Sequence, residues 1–102
     1  MAVSATSQIA ASFGLAEEDL FEQALISFLK DKKRQVLQLK LELLSRYNVD
    51  NVPELEEKIR KGTVVEHPAW EDLIVAENLS VRLEELDAHL KKLQKTGTNR
   101  IN

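Results

Sequence analysis

The densest gathering of chemically capable side chains in this sequence is EHPAWEDL, residues 66–73. It brings a histidine, a proline, the only tryptophan and three acids into eight residues. His67 and Glu71 stand four apart, so on a helix they share a face, and both are metal-ligand types. A zinc site takes three or four protein ligands, and two fall short of that. His89 is spaced with Glu85 as an ordinary i, i+4 surface pair. Glu77 sits beside apolar neighbours and reads as an exposed or rim acid rather than a buried functional one. There is no cysteine, no glycine-rich phosphate loop and no Ser-His-Asp spacing signature. The expectation is a protein that is not an enzyme and holds no metal or cofactor.

Most of the octet has a helix-start explanation. His67 precedes Pro68, which pushes it out of helical φ/ψ and suits it to the N-cap position. Pro68 fits the first helical position. Glu71 and Asp72 fall in the first turn, where the helix dipole stabilises acids. Trp70 is different. It shares a flank with Ile74, Val81 and Ala88, away from the leucines that follow. Two roles are open to it: plugging an elbow against Leu55, Ile59 and Val65, or anchoring a partner protein, with Glu71 and Asp72 beside it.

The composition is that of a folded domain with long surface helices: 43% hydrophobic, 30% charged, only 3 Gly and 2 Pro. Seventeen acids against 14 bases give a formal charge of −3, which offers no general attraction to nucleic acid. The only basic cluster, Lys30-Asp31-Lys32-Lys33-Arg34, has no aromatic residue among it to stack bases. It reads as a solvated belt, and nucleic acid is not an expected partner. No run reaches the ~20 apolar residues of a membrane span. The first residues lack the basic region of a signal peptide. With cysteine absent, a cytoplasmic location is expected.

Around these residues the pattern predicts an all-α fold. Residues 1–14 read as a mobile arm with at most a short helical turn. A helix is expected from about Ala16 to Tyr47, roughly 48 Å long. Asn48 to Asn51 breaks it, and a short helix follows, with Asn51 and Glu54 spaced as a capping box and Gly62 as its terminator. Val64 and Val65 are placed under the connector. A third helix is expected from Pro68 to about Lys95, ended by Gly97, with residues 97–102 a polar tail. This makes one domain, residues 15–96: an antiparallel hairpin of long helices with a short helix at the elbow.

The last helix carries Leu79, Leu83, Leu86, Leu90 and Leu93, the 4, 3, 4, 3 spacing of a coiled-coil seam. Its expected counterpart is Leu25, Leu29, Lys32, Val36, Leu39 and Leu43. The first long helix has more apolar surface than one seam uses. Leu37, Leu41 and Leu44 flank it on one side, and Phe21, Ile26 and Phe28 widen it elsewhere. The combined arc is about 200°, against ~100° for a helix packed on one side. The short helix and the arm would cover part of this. A second chain would cover it fully, and the expectation is a homodimeric four-helix bundle with Phe28, Leu37, Leu41 and Leu44 at the interface.

Three segments also suggest relatives: RY at 46–47, ELEEKIRKG at 54–62 and EHPAWEDLIVAENL at 66–79. Together they resemble small all-helical prokaryotic proteins that accompany toxin–antitoxin pairs. The resemblance spans about Ser45 to Leu79. It implies an antitoxin-like interaction protein that occludes a cognate toxin; the surface expected to do so lies around Trp70 and the short helix, with Trp70, Glu71, Asp72, Ile74 and Glu77 as its candidate residues. Ala76 stands where an aromatic residue is common in such proteins, which puts a contact there in doubt. No ribbon-helix-helix or helix-turn-helix pattern supports an autorepressor. The alternative is a structural dimeric coiled-coil adaptor.

Overall fold

The structure is a computed structural model that describes the backbone of residues 2–101 and the side chains of residues 5–95. Four helices follow one another: α1 (Ala2–Ser12), α2 (Glu17–Ser45), α3 (Val52–Arg60) and α4 (Glu66–Ile101). No strand occurs among the described residues, and the all-α expectation holds.

The first three helices stop by the same device. A residue in the left-handed region follows the last turn: Gly14 at φ 69, Asn48 at φ 58 and Gly62 at φ 72. Each of these N–H groups donates to the carbonyl three residues back, to Ala11, Ser45 and Ile59 respectively. The next N–H reaches five back: Leu15 to Ala10 at 2.8 Å, Val49 to Leu44 at 3.3 Å, Thr63 to Lys58 at 3.0 Å. This is the Schellman motif, which satisfies carbonyls the helix itself leaves orphaned. In the second case the residues it ties, Leu44 and Val49, are both buried in the core, so the cap also anchors a hydrophobic contact.

Two expectations about the ends need correction. Residues 2–12 form a helix instead of an arm, because a small-residue, alanine-rich segment terminated by Gly14 is a competent helix. Its Ala10 is buried, and Ser7 Oγ donates to Glu17 Oε1 of α2 at 2.6 Å. At the other end α4 runs past Gly97 to Ile101. A glycine inside a helix costs about 1 kcal/mol relative to alanine, which is a penalty and not a stop.

The α3 start follows its sequence. Asn51 Oδ1 accepts the Glu54 N–H at 2.9 Å, while Glu54 Oε2 reaches back to the Asp50 N–H at 3.1 Å. The α4 start also does: His67 sits at φ −104, ψ 125, and regular helix begins beyond it.

α2 and α4 run antiparallel. Lys33 meets Asp87 and, nearer α3, Tyr47 meets Asp72. α3 packs on α4 where the two long helices are joined. Leu43, Leu44, Val49, Leu55, Ile59, Ala69, Leu73 and Ala76 form the core there, with Tyr47, Val52 and Val64 against it. Away from this elbow the protein is the α2–α4 pair, with α1 against the start of α2, and measures 60 × 31 × 16 Å overall. Its radius of gyration is 19.8 Å, where a compact chain of this length has about 13 Å.

The expected α4 seam lines the pairing, with Leu86 and Leu90 buried and Leu79, Leu83 and Leu93 half-buried. Half of the α2 seam lies where expected, at Leu29, Val36 and Leu43, and the other half is displaced by one residue. Ile26, Leu29, Lys33, Val36, Lys40, Leu43 and Tyr47 face inward, whereas Leu25, Lys32 and Leu39 face out. Lys33 is therefore the lysine that crosses to α4, its Nζ 2.6 Å from Asp87 Oδ1. Lys32 lies over the Phe28 ring instead, 5.5 Å from its centroid.

Candidate interaction surface

This rotation of α2 decides where apolar surface is left uncovered. At 100° per residue, Leu39 and Leu41 point about 160° apart. α4 packs between those two directions, so it divides the apolar arc of α2 into two separate sides. On one side Leu37 and Leu41 are exposed, beside Arg34, Gln38 and Glu42. On the other lie Phe21, Leu25, Phe28 and Leu39, with Phe28 57% exposed and Phe21 64%. The interface expected to hold Phe28, Leu37, Leu41 and Leu44 together is thus not one surface. Leu44 belongs to neither side: at 1% exposure it is locked in the chain's own core.

The Phe28 side is the larger. A groove of about 470 Å³ runs there between the helices, walled by Phe28, Leu29, Val36 and Leu39 of α2 and by Arg82, Leu86 and His89 of α4. A second hollow continues it toward Val75 and Val81. Phe21, Leu25, Phe28, Lys32, Gln35 and Leu39 are spaced 4, 3, 4, 3, 4, so α2 carries two coiled-coil seams one residue apart. The inner one is filled by α4. The spacing of the outer one was visible in the sequence, but its separateness depends on the rotation of α2.

On α4, Trp70, Ile74, Glu77 and Val81 are brought together on the outer face, all exposed. Trp70 is 42% exposed and stands outside the core cluster; Ala69 and Leu73 fill the elbow instead. Of the two valines expected beneath the connector, Val64 packs against the core and Val65 is 75% exposed. Asp72 leaves the expected partner surface altogether. It turns inward and accepts the Tyr47 hydroxyl's hydrogen bond. Burial first, and the neighbouring Asp72 carboxylate second, push the Tyr47 phenol up to about 12. Lys58 Nζ donates to the Tyr47 carbonyl at 2.9 Å, which ties α3 into the same junction.

Glu71 extends into solvent with His67, the two 3.9 Å apart. No group of three or more potential metal ligands occurs among the described residues. Nor is any helix among them long and apolar enough to cross a membrane.

An all-α chain with a buried elbow and exposed apolar helix faces defines the general class. The chain belongs to the Uncharacterized protein MJ0235 family, whose pattern matches residues 1–98. No curated protein and no solved structure matches it.

Proposed function

We propose that this protein is a non-enzymatic helical interaction module, a hairpin of α2 and α4 that gains its second layer from another polypeptide. The exposed apolar surface of the Phe28 side carries the reading. A domain buries its apolar faces between two packed layers, and the hairpin supplies one. The surface area agrees. A compact monomer of 11.6 kDa exposes about 5,800 Å², and this chain exposes 7561 Å². The excess, roughly 1,700 Å², is about twice the ~800 Å² each partner contributes to a standard interface.

The form favoured is a homodimer that closes into a four-helix bundle. Light scattering at tens of micromolar should return twice the chain mass; a monomer at that concentration overturns it. Within this reading, the stripe of Trp70, Ile74, Glu77 and Val81 on the outer face of α4 is left for a different protein. The antitoxin-like version, with a cognate toxin as that protein, draws on the resemblance over Ser45 to Leu79. Trp70→Ala should abolish capture of such a toxin by the purified chain while leaving its helicity intact. Unchanged capture would remove Trp70 from the role.

A further inference from the structure

The first part of the outer seam of α2, ahead of Gln35 and Leu39, has a symmetry of its own. Read from the start of the helix it is Glu18, Phe21, Leu25, Phe28, Lys32, spaced 3, 4, 3, 4 and confined to an arc of about 80°. An acid stands at one end, a base at the other, two phenylalanines inside them and a leucine at the centre. Reversed end for end, the pattern is complementary to itself.

We propose that the occupant of the Phe28 side is a second copy of this chain, with α2 packed antiparallel on α2 about a two-fold axis at Leu25. This rests on the interaction-module reading above and adds to it the partner, the direction and the register. A two-fold interface is isologous: if one residue meets a second, the second meets the first across the axis. With the axis at Leu25, Leu25 meets its own equivalent, Glu18 meets Lys32 of the second copy, and Phe21 meets Phe28 of the second copy with an offset of one residue, about 1.5 Å. Each layer then pairs apolar with apolar or acid with base.

The competing arrangements fail on charge or on matching. Parallel helices would put Lys32 on Lys32 and Glu18 on Glu18, and like charges directly opposed are destabilising. An antiparallel register centred near Lys30 would give more helix overlap, yet it sets Leu25 against Gln35 and Phe28 against Lys32. That leaves apolar groups facing polar ones in the middle of the interface. In the Leu25 register the charges stand at the rim of the aromatic patch. The Lys32 ammonium is already held there, over the Phe28 ring.

The chain has no cysteine, so single cysteines report proximity without interference. Leu25→Cys places its thiol on the axis, within reach of its equivalent. Mild oxidation of the full chain should yield mostly disulfide-linked dimer. Leu39→Cys lies 14 residues from the axis in each copy, about 42 Å from its equivalent, and should stay unlinked. Glu18→Lys and Lys32→Glu should each weaken dimerisation about tenfold by light scattering, and the double reversal should restore it. A wild-type dimer whose Leu25→Cys form fails to cross-link overturns the register alone. Equal cross-linking at Leu25→Cys and Leu39→Cys overturns the antiparallel direction, and a wild-type monomer overturns both this and the reading it rests on.

Discussion

Lys33 of α2 holds Asp87 of α4 with its ammonium 2.6 Å from the carboxylate, and the contact marks which side of α2 faces its neighbour. Both side chains remain over 40% exposed. Pairs of this kind contribute about 0–1 kcal/mol. Asp87→Ala should therefore lower the melting temperature by no more than about 8 °C, the upper shift for 1 kcal/mol in a domain of this size. A larger loss would mean that the pair, and not the leucines around it, sets the rotation.

Leu44 and Leu41, one turn short of each other on α2, should behave oppositely. Leu44 is at 1% exposure in the elbow core, and Leu44→Ala should cost roughly 2–5 kcal/mol. Leu41 is 51% exposed on the side away from the Phe28 groove. Leu41→Glu should change stability by less than about 0.5 kcal/mol, as surface substitutions generally do. Chemical denaturation followed by circular dichroism measures both. Unfolding of Leu41→Glu would show that this side is covered.

The elbow and the seam on α4 were readable because local chemistry decides them. Gly62 and Asn51 can play few other parts, and the leucines from Leu79 to Leu93 share one face at any helix rotation. The rotation of α2 was not readable. Interleaved with Leu29, Val36 and Leu43, the residues Leu25, Lys32 and Leu39 form as good a heptad seam as Ile26, Lys33 and Lys40, and a better one by hydrophobicity. The choice between them is made by packing at the elbow, where Leu43, Leu44 and Tyr47 are all engaged at once. Trp70 illustrates the same limit. Its size suggested a plug, but its neighbours Ala69 and Leu73 are the residues whose angular positions meet α3.

Trp70→Ala should consequently be mild. A fully buried tryptophan costs about 3–5 kcal/mol on truncation, while Trp70 is 42% exposed and outside the core. A loss near 1 kcal/mol is expected in a thermal or denaturant melt. A loss in the buried range would return Trp70 to the core and remove it from the outer face of α4.

Tyr47 supplies a pH dependence with a definite sign. Its phenol is pushed up to about 12 from an ordinary 10.0, by burial and by the Asp72 carboxylate that accepts its hydrogen bond. Folding therefore favours the neutral phenol. The associated stability is fully present below pH 10.0, the value of an unperturbed phenol, and is lost as pH rises through about 12. The chain has one tyrosine, so its phenolate absorbance reports this group alone. Wild-type melting temperature should fall across that window with the absorbance rising late within it. In Tyr47→Phe the Tyr47 contribution to this fall should vanish, at the expense of a hydrogen bond to a charged group worth about 1.5–3 kcal/mol at neutral pH. A phenol that titrates in the native state near 10.0, or a variant with the same alkaline step as wild type, would show that the Tyr47–Asp72 contact is not formed.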